Sequence, residues 1–259
     1  MAKDNFSEQS KEYARFRPGY PAGLVECLTQ LCPGRSLAWD CGAGNGQFAV
    51  LLAEKFAHVH ATDISPRQLE QAIPRPNIRY AEEPAERCSL PDQSCDLITV
   101  AQAIHWFDFD RFYAEVRRVA RPGAVIAAVG YALFRSTPLL NRVIDRFYTD
   151  IVGPYWDPER RWVDEHYMTI PFPFQEIAIP VFAMEYAWSP QEMTGYFGTW
   201  SATRHYIRDK GTDPAALVEE DLAEAWPGTE KAPVRFEICV RVGRVWEGVR
   251  VREGERVRG

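Results

Sequence analysis

The stretch Leu37-Ala-Trp-Asp-Cys-Gly-Ala-Gly-Asn-Gly46 leaves this chain few folds to choose from. A short apolar run holds Asp40, and glycines follow at every second position: Gly42, Gly44 and Gly46. An apolar helical run, Phe48-Ala-Val-Leu-Leu-Ala53, begins at once. That order predicts a strand, a tight turn and a helix N-terminus. Glycine tolerates positive φ and has no Cβ, so a ligand can approach the backbone of such a turn. The helix behind it opens with N–H groups that have no partner inside the helix. The next apolar run, His58-Val-His-Ala-Thr62, ends at Asp63, roughly 20 residues past the first glycine. In a strand–helix–strand unit this spacing sets a carboxylate at the tip of the neighbouring strand, where it can bind a ribose diol.

The glycine spacing also narrows the cofactor. A dinucleotide turn reads G-x-G-x-x-G/A, and here the sixth place holds Gln47. The Lys-Ser/Thr ending of a P-loop is missing too. A carboxylate at Asp40 would repel a pyrophosphate but suits an ammonium group. Downstream, Ala85-Glu86 and Leu90-Pro91 precede a strand pattern, Ser94-Cys-Asp-Leu-Ile-Thr-Val100. Then come Ala101-Gln-Ala-Ile-His-Trp-Phe-Asp108, an amphipathic stretch from Phe112 to Ala120, a turn at Arg121-Pro-Gly123 and a buried strand, Ala124-Val-Ile-Ala-Ala-Val129.

On these residues the chain resembles the class I S-adenosylmethionine-dependent methyltransferases, over residues 5–243. The opening Phe6-Ser-x-Gln-Ser-x-x-Tyr-Ala-x-Phe-Arg-Pro-x-Tyr-Pro21 and the Ala-Ile-His-Trp-Phe run look closest to the trans-aconitate methyltransferase-like branch. The resemblance implies an α/β, Rossmann-like domain with a seven-stranded, mostly parallel sheet, an antiparallel edge strand and a helical lid. One domain would fill 1–259: a cofactor-covering segment at 1–35, a cofactor-binding core at 36–131, a lid and substrate region with the sixth strand at 132–233, and the last strand and tail at 234–259. The pattern places strands near 36–41, 57–62, 77–81, 95–100 and 123–130, then at 177–187 and 234–242. Helices are expected from Pro21, over 139–151, and near 190–208 and 214–225.

The same resemblance assigns roles. Gly42, Gly44 and Gly46 would wrap the methionine part of S-adenosylmethionine, and Asp40 would hold its amino group directly or through water. Asp63 would accept from both ribose hydroxyls, with Ile64 against the adenine face and Ala85 and Glu86 near the adenine amino edge. Ala101 or Gln102 would offer a backbone carbonyl, and Tyr13 and Arg17 would close over the cofactor. His105 is the candidate catalytic residue. Trp106, Tyr131 and Trp200 are candidates for the substrate pocket.

Composition limits the partners. A net charge of −6 and no long basic run before the tail argue against nucleic acid. No signal-peptide pattern opens the chain and no apolar run reaches membrane-span length, so a cytoplasmic enzyme with no membrane partner is expected. The six cysteines form no CxxC pair and read as free thiols. His58 and His60 share one side of a predicted strand, but no third metal ligand lies near them in sequence, and no metal is expected. The expected function is methyl transfer to a small-molecule acceptor by a monomer or homodimer. A carboxylate acceptor needs no base, which suits a chain with no evident catalytic dyad. Two alternatives stand beside it: a cofactor-binding regulator without catalysis, and a nicotinamide-dependent oxidoreductase.

Overall fold

The glycine turn is the joint around which the sheet is built. The computed structural model describes residues 18–245. After α1 (Ala22–Leu31), β1 (Leu37–Cys41) runs into the turn, and α2 (Gln47–Ala53) leads to β2 (His58–Asp63). A short α3 (Pro66–Leu69) precedes β3 (Ile78–Glu82), followed by β4 (Cys95–Ala101), α4 (Phe109–Val119) and β5 (Ala120–Tyr131). Strands β1 to β5 are parallel in the order β3-β2-β1-β4-β5. The order reverses between β1 and β4, and ligands bind at the carboxyl ends of strands at such a reversal.

The far side is antiparallel. The last strand, β8 (Ala232–Arg244), pairs with β5 from Val125↔Arg244 to Tyr131↔Ile238. Along its other edge lie β6 (Gln175–Glu176) and β7 (Phe182–Trp188), completing an eight-stranded mixed sheet. Between β5 and β8 the chain forms α5 (Pro138–Asp145), which passes into a π-helical turn at Arg146–Ile151, and then α6 (Arg160–Asp164). Helices α7 (Pro190–Gly198), α8 (Ser201–Lys210) and α9 (Glu219–Ala225) follow β7.

Both sheet faces are covered, which explains why the central strands read as near-continuous apolar runs. The period of two still sorts their side chains. Val125, Ala127 and Val129 of β5 join one core with Leu24 and Leu28 of α1 and Phe48 and Leu52 of α2. Ala124, Ile126 and Ala128 join the other with Phe112, Val116 and Val119 of α4. Local signals fix the helix ends. Asp108 accepts from the Arg111 amide at the start of α4, and Ser189 with Glu192 forms a capping box on α7. Among the described residues no helix is long and apolar enough to cross a membrane.

Three boundaries differ from the sequence expectation. Arg121-Pro-Gly123 is no turn outside the sheet; it is a bulge inside β5. Cys95 pairs with Ala120 and Leu97 with Val125, because Pro122 has no N–H to give and Gly123 turns at φ +78°. The strand expected over 177–187 is regular only from Phe182, after Pro180 breaks the ladder. The helix expected over 190–208 is two helices parted at Thr199 and Trp200. The tail from Trp246, expected as an extra edge element or a frayed end, lies outside the described residues.

Candidate active site

Asp40 sits at the bottom of the site. It is fully buried on β1, and its Oδ1 accepts from the Thr99 hydroxyl of β4 at 2.8 Å. Its Oδ2 has no hydrogen-bond partner. Burial pushes this carboxyl up to about 7, against the opposing bond from Thr99, and the charge of Asp63 adds to the rise. A neutral or half-ionised acid with one unsatisfied oxygen is held ready for a positive partner.

The turn above it is tied down almost amide by amide. Gly42 and Ala43 donate to the Thr62 carbonyl at 2.8 and 2.9 Å, and Gly46 donates to Ala43 at 2.9 Å. Gly44 donates to Asp63 Oδ2 at 2.8 Å. Ser65 donates to Asp63 Oδ1 at 2.9 Å. These N–H groups are spent on the protein itself, so the turn offers no amide nest for a pyrophosphate. Gly42 must be glycine on two grounds: its φ is +70°, and a Cβ there would stand 2.5 Å from the Ala103 Cβ. Gly46, at φ +82°, would drive a Cβ into the Tyr80 hydroxyl.

Above the turn opens a cleft of about 1120 Å³, its open mouth included. Gly42, Gly44, Asp63, Ile64, Ala85, Glu86, Gln102, Trp106 and Tyr131 all line it. The structure thus brings together most residues picked from sequence. Gln102 has a left-handed backbone, φ +56°, held by its amide on the Val129 carbonyl (2.8 Å) and its side chain on the Tyr131 carbonyl (2.9 Å). Non-glycine residues in this region cost on the order of 1–3 kcal/mol and gather at functional sites. Glu86 Oε1 accepts from the Asp108 amide at 3.1 Å, which ties its loop to the start of α4.

Other residues stand elsewhere. Gly46 and Asp40 lie beneath the lining. His105 is buried behind the wall, with Nδ1 3.1 Å from the Tyr167 hydroxyl and its ring beside Trp106. Trp200 does not reach the cleft. It is buried among Phe147, Tyr148, Trp156, Tyr196 and Phe197, because its apolar ring at the start of α8 fills the core between helices. No residue of the expected lid, 132–233, lines the cleft in the described structure. Tyr13 and Arg17 lie outside the described residues.

Sequence reasoning missed Glu83. It lines the cleft, accepts from the Ser89 amide at 2.9 Å and pairs with His60 Nε2 at 3.0 Å. Burial would raise this carboxyl, but the bonds from Ser89 and His60 outweigh it and hold Glu83 below the usual glutamate range. Its signal was faint: a carboxylate just past β3 and a histidine facing it from β2, an acid–base pair instead of half a metal site. Asp63, Glu83 and Glu86 make the described lining acidic, and no lysine or arginine stands among the described lining residues. An acidic lining favours a ligand with a positive charge and disfavours one carrying phosphates.

Comparison with known proteins bears on the family. A family model described as a methyltransferase domain matches residues 39–128, from β1 into β5. A candidate methyltransferase of Dictyostelium discoideum is 34% identical over 231 residues, covering 88% of each chain. An uncharacterized methyltransferase of Mycobacterium tuberculosis is 32% identical over 176 residues, 67% of each chain. Among solved structures, a candidate type II methyltransferase from Anaeromyxobacter dehalogenans is 45% identical, with a TM-score of 0.83 over 90% of this chain and 100% of that one.

Proposed function

Since the chain belongs to the class I S-adenosylmethionine-dependent methyltransferases, we propose that it methylates a small-molecule acceptor in the cleft above the glycine turn. The observation that carries this is the acidic set Asp63, Glu83 and Glu86 among the described lining residues, beside a buried Asp40 oxygen with no hydrogen-bond partner among the described residues. The residues present fit S-adenosylmethionine: a strand-end carboxylate for the ribose, side chains for the adenine, and a glycine cradle for the methionine part. When bound, that cofactor supplies a methyl group on a sulfonium: the C–S bond breaks as the acceptor's lone pair forms the new bond, leaving a neutral thioether.

The protein's share is to bind, orient and keep water out. Asp63, fixed by two amides, would accept from the ribose hydroxyls. Ile64 flanks the adenine, and Glu83 and Glu86 stand along that side. Tyr20, Trp106 and Tyr131 form the wall toward the acceptor. Holding two reactants in line is worth roughly 7–11 kcal/mol of barrier. Among the described lining residues there is no histidine, lysine or cysteine. That supports a carboxylate acceptor, as in the trans-aconitate-like branch, and leaves its recognition to Arg17 of the opening segment, which with Tyr13 would cover the cofactor. The six cysteines are all free thiols, in keeping with a cytoplasmic monomer or homodimer.

The test is a calorimetric titration with S-adenosylhomocysteine, NAD in parallel, followed by S-adenosylmethionine turnover on a panel of di- and tricarboxylates. Micromolar S-adenosylhomocysteine binding and ester formation are expected. Preference for NAD would end the proposal; binding without turnover on those acids would end its carboxylate part.

A further inference from the structure

The cofactor scheme has no use for Tyr167, yet much of the fold is spent on placing it. Its side chain is fully buried. His166 and Tyr167 are consecutive non-glycine residues at positive φ, 55° and 60°. Arg241 of β8, itself buried, donates to the carbonyls of Tyr167 (3.3 Å) and Ile170 (2.8 Å). The same guanidinium pairs with Glu176 and stacks on Phe172 at 4.6 Å. Gly130 of β5 leaves room for the ring, since a Cβ there would lie 2.5 Å from it. The hydroxyl thereby arrives 3.1 Å from His105 Nδ1, with the rings stacked 6.0 Å apart at 29°.

A buried hydroxyl has one proton to place, and leaving it without an acceptor is costly. Among the described residues, Nδ1 of His105 is the acceptor within reach of the Tyr167 hydroxyl. We propose that Tyr167 is a positioning residue that donates to His105 Nδ1 and fixes the imidazole as its Nε2–H tautomer. Burial raises the phenol well above its ordinary range, so it stays a donor. His105 is then a hydrogen-bond donor beside the cleft wall at Trp106, 4.9 Å from ring to ring, and no general base. Resting on the methyltransferase reading, this deepens it: the acceptor enters already as an anion, and His105 strips no proton from it.

The test needs no acceptor. The full-length protein is labelled with ¹⁵N-histidine and its imidazole ¹⁵N–¹H couplings are recorded above the ordinary histidine titration range. Signals of His105, one of five histidines, are those lost in His105→Gln. An unprotonated Nδ1 is expected, shifting toward the protonated position in Tyr167→Phe, which keeps the ring and drops the hydroxyl. A protonated Nδ1 in the unsubstituted protein, or an unchanged tautomer in a folded Tyr167→Phe, overturns the proposal. If that variant does not fold, the unsubstituted spectrum decides alone. S-adenosylhomocysteine is titrated into the same sample: its failure to bind would end the methyl-transfer reading and leave the tautomer result standing.

Discussion

Gly44 and Asp63 are joined by a hydrogen bond of 2.8 Å from the loop amide to the strand-end carboxylate, which ties the glycine turn to the end of β2. The other carboxylate oxygen holds the Ser65 amide. A ligand therefore meets an ordered acceptor and does not have to order it, which lowers the cost of binding.

Asp63→Ala removes the proposed ribose acceptor and two loop anchors together. A hydrogen bond to a charged group is worth roughly 1.5–3 kcal/mol net, so S-adenosylhomocysteine binding should weaken by about tenfold or more. Asp63→Asn keeps one carbonyl acceptor and should fall between. Calorimetry on both variants, with the melting temperature as a control for loop anchoring, reads the difference. Equal affinity in all three proteins would remove Asp63 from the site.

Gly42→Ala tests the turn through its two separate faults. The Cβ meets the Ala103 Cβ at 2.5 Å, and φ stays at +70°. Each is worth on the order of 1–3 kcal/mol. Adding Ala103→Gly should restore the part due to the clash and none of the part due to φ. Urea unfolding of the single and double variants separates them; no recovery at all would mean that backbone conformation alone forbids the change.

Asp40 predicts a pH dependence whose sign is fixed. An unfolded aspartate titrates near 3.9 (roughly), and the folded one is raised to about 7. Between those values the native state keeps a proton that the unfolded state has lost. The contribution of Asp40 to stability is therefore complete below the lower value and is lost as pH rises through about 7. Cofactor binding has the opposite slope, because a cationic ligand favours the ionised acid. Binding of S-adenosylmethionine should tighten as pH rises through about 7 and release protons below it. Calorimetry in buffers of different ionisation enthalpy counts those protons, and Asp40→Asn should abolish both the release and the slope.

Trp200→Ala distinguishes a core residue from a pocket residue. Its ring is buried against five aromatic neighbours, so truncation should cost about 3–5 kcal/mol of stability. The folded fraction should bind S-adenosylhomocysteine as before. A stable variant with altered acceptor preference would return Trp200 to the substrate site.

The parallel half of the fold was legible because its strands are bounded by residues with singular backbone demands: Gly42 after β1, Asp63 closing β2, Leu90-Pro91 before β4. The cleft was legible for the same reason, since Asp63, Ile64, Ala85, Glu86 and Gln102 all lie at or just past strand ends. The helical region between β5 and β8 was not. Its aromatic residues recur at spacings that serve a core and a pocket equally, and only burial separates Trp200, in the core, from Trp106, on the wall. Glu83 and Tyr167 escaped because their meaning depends on His60 and His105, partners brought near only by the folded sheet.

The pairing of β5 with β8 has a consequence for how the chain is made. Seven β5 residues, Val125 to Tyr131, take their outer partners from 238–244. Every cofactor-cradle residue leaves the ribosome long before those partners do. A nascent chain therefore carries a nearly finished parallel sheet with one raw edge, a sticky template of the kind that recruits stray strands. The helices from Pro138 to Ala225 lie in the interval between edge and partner, so the speed at which they are synthesised and folded sets how long that edge stays open to misassembly.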